Sequence, residues 1–218
     1  MLPYIEQHAL YDHCASFSEA NTGFGTHALN TPHATAIPVY LCPSEANLFG
    51  PRGYGRGKID GIGGPTWWGM SNYAANFFIF GNPKQGNLQG TTEFSQLSDG
   101  LSNTVMFAER YGNCTNSGPT FPVYTSLWCD ASTYWRSVFC INNLQRKPTA
   151  PGYPPCAKFQ VTPDWATACD ASRAQSWHSG GMIVCLADGS VRFVDGSIAD
   201  NVWAMVCDPR DAAVVGDW

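Results

Sequence analysis

The sharpest hydrophobic pattern lies near the end of the chain. Gly181 to Ala187 is an apolar run, Asp188-Gly189 interrupts it, and Ser190-Val191-Arg192-Phe193-Val194 follows. Two such runs joined by Asp-Gly predict a β-hairpin, because Gly189 supplies the positive φ that a two-residue turn requires. Asp195-Gly196-Ser197 predicts a second turn. Ile198, Val202, Met205 and Val206 then recur at helical spacing, so 198–207 is predicted as a helix with those four on one face. Upstream, Asp99-Gly100 marks a turn within Leu97 to Asn103, and 104–109 reads as a central strand, apolar on both faces. Pro38 to Cys42 predicts a short strand stopped by Pro43. Pro3, with Leu2, Ile5, Ala9 and Leu10 in helical register, predicts a helix from 3 to about 14. Residues 21–36 and the Gly-rich 49–66 show no period and read as surface loops. Residues 112–170 hold five of the nine cysteines with many prolines and little periodicity, which predicts an insertion held by disulfides rather than by a core of its own.

These elements define an α+β class over 1–218 as one domain. An N-terminal helix packs on an antiparallel sheet that includes 38–42, 104–110 and the 181–194 hairpin. Composition narrows the picture. Charged residues are 13% of the 218, against a usual share of about 25%, while Gly numbers 22 and Pro 15. Plentiful aromatics and a net charge of only -5 exclude a disordered chain. The absence of a basic cluster removes the electrostatic footprint of nucleic-acid binding. No leader or membrane-spanning run is visible, so an exported protein would carry its signal ahead of Met1.

The nine cysteines form no C-x-x-C, which argues against a zinc ribbon or a thioredoxin-type motif. Their scatter along a Lys-poor chain fits an oxidising compartment, the alternative being buried thiols in a reducing one. The odd number leaves one thiol over. Cys14, Cys42, Cys114, Cys129, Cys140, Cys156, Cys169 and Cys207 are the disulfide candidates. Local loops favour Cys156 with Cys169 and Cys129 with Cys140. Cys185, in the apolar run, is the candidate buried free thiol.

Catalytic and binding chemistry is sparse. An extended 179–187 separates His178 from Asp188 by about 25–30 Å, which excludes a dyad. The return strand brings Asp195 back, so a His178–Asp195 contact is geometrically open. The plain reading of His178 is a side chain that locks the hairpin base by hydrogen bonds; the sharper one is a metal or catalytic role. There is no G-x-S-x-G, and His8 and His13 are five apart rather than four. The Gly-rich stretch lacks phosphate-loop order. Calcium is the one cofactor with a case: Asp99, Asp188, Asp195, Asp200, Asp208, Asp211 and Asp217 lie in or near turns, with Asp195 and Asp200 the metal candidates, but no EF-hand loop is present. Trp67-Trp68 beside the Gly-rich loop suggest a glycan platform, although neighbouring strand residues face opposite ways.

His178-Ser179-Gly180-Gly181, followed by Asp188-Gly189-Ser190-Val191-Arg192-Phe193-Val194, resembles the H-x9-DG signature of the prepilin-type processing-associated family, domain of unknown function 1559. Further blocks follow the family order: Leu2 to Gln7, Val39 to Ser44, and Asp99-Gly100-Leu101-Ser102-Asn103-Thr104 running into Phe107-Ala108-Glu109-Arg110. Ser71-Asn72-Tyr73 and Gly216-Asp217-Trp218 fit as well. The resemblance implies a relative of type IV pilins or type II secretion pseudopilins. In such proteins a leader and one long apolar helix precede the globular part, and that helix is the membrane attachment. His178, Gly180, Gly181, Asp188, Gly189, Asp99, Gly100, Asn103 and Glu109 are its structural motif residues. The expectation is a non-catalytic structural subunit or surface component of a filament or secretion-type assembly, exported, bacterial, and partnered by like or other pilin-type subunits. Two alternatives stay open: an extracellular ligand- or glycan-binding module, and a secreted hydrolase using His178.

Overall fold

The computed structural model describes residues 1–20, 32–45, 53–57, 66–87, 90, 92–115, 124–129, 135–141, 152–213, 215–216 and 218. Its helices are α1 (His8–Ala20), α2 (Phe77–Phe80) and α3 (Asp200–Cys207), with short 3-10 turns between. Its strands are β1 (Tyr54–Gly57), β2 (Thr66–Gly69), β3 (Tyr73–Asn76), β4 (Val105–Glu109), β5 (Asn113–Cys114), β6 (Tyr124–Thr125), β7 (Val138–Phe139), β8 (Gln160–Val161), β9 (Gln175–Ser176), β10 (Gly181–Leu186) and β11 (Val191–Asp195). The fold is mixed α+β. Its centre is a five-stranded sheet in the order β11-β10-β4-β3-β7, antiparallel except for the parallel β3–β7 pair.

Period-2 alternation sorts the β10–β11 hairpin into two faces. Met182, Val184, Leu186 and Val194 point inward, where Trp203 of α3 packs with Phe139 and Phe159 in the main core. Ile183, Val191 and Phe193 point outward and stay exposed. The hairpin forms where the sequence predicts it, but through a three-residue turn, Ala187 to Gly189, rather than a two-residue one: the Leu186 N–H donates to the Ser190 carbonyl at 2.9 Å and the Gly189 N–H to the Leu186 carbonyl at 3.0 Å. Gly189 has φ 85°, and the Asp188 carboxylate accepts the Ser190 amide and hydroxyl at 2.9 and 2.6 Å. These hydrogen bonds hold that carboxyl below its ordinary pKa.

Several expectations require correction. Pro38–Tyr40 is a 3-10 turn, not a strand: Tyr40 and Leu41 donate back to Ile37 and Pro38 carbonyls at 3.0 Å each. Pro38 and Pro43 remove the donors that a ladder would use. The N-terminal helix is two pieces, because Glu6 at φ 60° closes a first turn at Leu2–Ile5 before α1 begins. In α3 the fully buried stripe is Trp203, Val206 and Cys207, while Ile198, Val202 and Met205 are half-buried. The described parts of 112–170 hold both disulfides and join the main sheet and core. β7 is an edge of the main sheet, and Val138, Phe139, Ile141 and Phe159 belong to the main core. Within the Gly-rich stretch, Gly53–Gly57 form a turn and β1, paired with β2. Residues 49–52 and 58–65 lie outside the described residues, as do 21–31, His27 and Asp217.

The cysteine pairing also differs. Cys114 bonds to Cys169 and Cys140 to Cys156, so neither Cys156–Cys169 nor Cys129–Cys140 forms. Short sequence separation lost to tertiary placement: β5 brings Cys114 against the segment before β9, and Cys140 leaves β7 facing Cys156 inside the core. Cys14, Cys42 and Cys207 are free thiols, Cys42 and Cys207 buried. Cys185 is free but only half-buried, because it faces outward from β10 opposite Val191. Two disulfides indicate an oxidising environment. Among the described residues no helix is long and apolar enough to cross a membrane.

Candidate functional site

Glu109 ends β4, where the antiparallel ladder to β10 runs out. Ala108 opposes Val184, so the carboxylate of the next residue reaches the Ile183 amide that the ladder would leave open. Glu109 Oε2 accepts that N–H at 3.0 Å and the Ser176 hydroxyl at 2.8 Å. Its other oxygen, Oε1, lies 2.9 Å from His178 Nε2. The histidine is held in turn by its own backbone N–H, which donates to Ser176 Oγ at 3.1 Å. Gly180, at φ 90°, then swings the chain into β10. His178 therefore meets Glu109, not Asp195. Asp195 lies across from Gly181 and spends its carboxylate on the Ser197 amide at 2.7 Å.

A third side chain closes on the same point. Cys42 follows the 3-10 turn, and its N–H donates to Asn72 Oδ1 at 2.8 Å. Asn72 is fixed by its N–H to the Tyr40 carbonyl and by the Arg110 N–H on its own carbonyl, at 2.8 and 2.7 Å. This clamp brings Cys42 Sγ to 3.9 Å from His178 Nε2. The sulfur, the imidazole nitrogen and a Glu109 oxygen all lie within 4.8 Å of one another. Cys42 and Glu109 are buried, and His178 is half-buried with 33% of its side chain exposed. The three donors come from 39–44, 99–110 and 178–194, separate blocks that carry the family resemblance.

Around the cluster are polar groups that sequence reading missed, Arg110 and Ser176 buried and Glu45 half-buried. Glu45 accepts the Gly112 N–H at 2.9 Å and a hydrogen bond from the Asn72 side-chain amide. Burial lifts its carboxyl to about 7, against the downward pull of the Gly112 hydrogen bond. Arg110 is fully buried and donates to the carbonyls of Val138 and, at 2.7 Å, Ala171. Burial lowers its guanidinium to about 10. The signal for Arg110 was its place beside Glu109; Glu45 and Ser176 gave none.

The chemistry follows from where the donors point. Cys42 and Glu109 approach the same ring nitrogen. A nucleophile relay needs the nucleophile on one imidazole nitrogen and the orienting acid on the other, and this arrangement lacks it. Three donors converging on one point is instead the layout of a coordination site. Among the described residues no three of the proposed calcium carboxylates converge on one point. Asp195 and Asp188 serve their own turns, Asp200 pairs with Lys158 at 3.6 Å, and Asp99 accepts the Ala212 amide at 2.8 Å. Asp99, Gly100 and Asn103 build the turn ahead of β4: Gly100 sits at φ 90°, and the Asn103 side chain donates to the Asp99 carbonyl at 3.1 Å. Trp68 is buried and its ring stacks on His33 at 4.0 Å, so it offers no open face to a sugar. The side chain of Trp67 lies outside the description.

A family profile described as "Protein of unknown function (DUF1559)" matches residues 1–201. The chain belongs to that family. Searches of curated proteins and of solved structures return no match.

Proposed function

We propose that this DUF1559 chain is an exported, non-catalytic structural subunit of a pilus-like or type II secretion-type surface assembly, with a pilin-like relation between sheet and helix. The observation that carries the reading is the outer face of the β10–β11 hairpin. Val191 is 69% exposed, Phe193 53% and Ile183 39%; all three lie on one face, Val191 and Phe193 on the edge strand β11 and Ile183 beside them on β10. Phe193 pairs with Ile183 across the hairpin. Exposed apolar residues grouped on an unpaired sheet edge mark an association surface, and soluble monomers normally blunt such edges with charge. The opposite face and the turn are fully committed to the fold, which supports a scaffold rather than a reagent. Its partners on this reading are like subunits or other pilin-type subunits, and its attachment is the apolar helix that the family resemblance carries.

The test is to produce the full reading frame in its native cell and shear the surface. The expected result is the chain in the sheared high-mass fraction, and its loss from that fraction in Phe193→Lys with the melting temperature unchanged. Recovery only as free monomer in the medium, or assembly unaffected by Phe193→Lys, would sink the proposal.

A further inference from the structure

We propose that Cys42, Glu109 and His178 form a binding site for a divalent transition metal of the zinc type. The donor set points to that class. One thiolate, one imidazole and one carboxylate suit a borderline-soft ion, whereas calcium and magnesium take oxygen ligands. The spacing fits as well. Ligand bonds of about 2.0–2.3 Å in a tetrahedron place donor atoms about 3.3–3.6 Å apart. The observed separations of 2.9 Å for Glu109–His178 and 3.9 Å for His178–Cys42 bracket that range.

Each ligand is held by a second group, as metal ligands characteristically are. The Glu109 oxygen that turns away from the site is fixed by Ser176 and the Ile183 amide. The Cys42 backbone is fixed by Asn72, and the His178 backbone by Ser176. These anchors leave one Glu109 oxygen, Nε2 and Sγ as the mobile, facing atoms. Binding displaces the Cys42 thiol proton to solvent. The imidazole ligates through Nε2 as the neutral ring, its proton carried on Nδ1, so affinity rises with pH. Solvent reaches the site along the exposed edge of His178. Three protein ligands with one side open leave the fourth position to water or to a donor from outside the chain. Occupancy also gives a buried thiol a role in a chain whose other sulfurs include two disulfides.

The experiment uses the full chain, stripped by chelator dialysis and titrated with Zn2+ against a chromophoric competitor, then with Co2+. The expected result is one equivalent bound, a thiolate-to-cobalt charge-transfer band, and a loss of affinity of about 100-fold or more in Cys42→Ser and in His178→Ala. Cys185→Ser should bind as the wild type does. If the ligand variants fold poorly, the wild type decides: Zn2+ should slow alkylation of Cys42 and leave Cys185 reactive. No uptake by the wild type, a cobalt spectrum without the thiolate band, Cys42→Ser binding undiminished, or alkylation of Cys42 at the same rate with and without Zn2+ would each overturn the site.

Discussion

Glu45 shows how a single half-buried group sets a property of the whole molecule. Its carboxyl sits against Asn72 and the Gly112 amide, and burial raises it from 4.5 to about 7 in the folded chain. Burial pushes the Tyr111 phenol upward, and the Glu45 charge adds to that push. A folded pKa above the unfolded one means that the native state holds the proton longer. The stability linked to Glu45 is therefore fully present below about pH 4.5 and is lost as the pH rises through 7. A shift of that size corresponds to about 3 kcal/mol, which residual solvent contact reduces to roughly 1–3 kcal/mol. Glu45→Gln keeps the shape and removes the titration. The expected outcome is that the difference in unfolding free energy between wild type and Glu45→Gln changes in the variant's favour from pH 4.5 to 8. Urea denaturation across that range measures it. Parallel curves for the two proteins would show that Glu45 titrates normally in the fold.

At the scale of elements, the entry to the β10–β11 hairpin separates two uses of glycine. Gly180 sits at φ 90° with open space around it, so an added methyl meets only backbone strain. A Cβ on Gly181 would stand 2.1 Å from the Val194 carbonyl oxygen and 2.6 Å from the Phe193 ring. Gly180→Ala should cost about 1 kcal/mol, and Gly181→Ala roughly 2–4 kcal/mol, because backbone rather than a flexible side chain must move. Chemical denaturation of both variants reads the ranking, and equal losses would remove the packing argument. The same hairpin shows what was legible beforehand. Asp188-Gly189 and the apolar runs around it are local signals, and the turn and both strands follow from them. The α3 helix was legible in extent and in part of its facing, since Val206 lies on the buried stripe as predicted while Val202 and Met205 are half-buried. Its inward stripe is led by Trp203, which the spacing of smaller apolar residues concealed. Pro38–Tyr40 misled because an apolar run bounded by prolines looks like a strand until no partner strand is found. His178 and Glu109 were both visible as motif residues. Their meeting with Cys42 was not, because a contact across 136 positions between Cys42 and His178 leaves no periodicity.

For the molecule as a whole, the disulfides decide how the loop-rich half is held. Cys114–Cys169 closes a separation of 55 residues and Cys140–Cys156 one of 16. The chain-entropy relation assigns such loops about 4 and about 3 kcal/mol. The second bond lies in the main core beside Trp203, and its neighbour Cys207 has its sulfur within 4.8 Å of both bonded sulfurs. Exchange with that third thiol is expected to be slow. Burial raises the Cys207 pKa well above its ordinary value, and the protonated thiol is a poor nucleophile. The two bonds use four of the nine cysteines, so the denatured, unreduced chain should titrate at most five thiols. Cys114→Ala/Cys169→Ala should lose more stability than Cys140→Ala/Cys156→Ala, because the longer loop frees more of the unfolded chain while both alanine pairs leave similarly small voids. A reversed order in denaturant midpoints would mean that the shorter bridge acts through the packing around Trp203 and Cys207. The contacts of Cys140 and Cys156 in the main core, rather than the closure of the loop, would then be what the shorter bridge contributes.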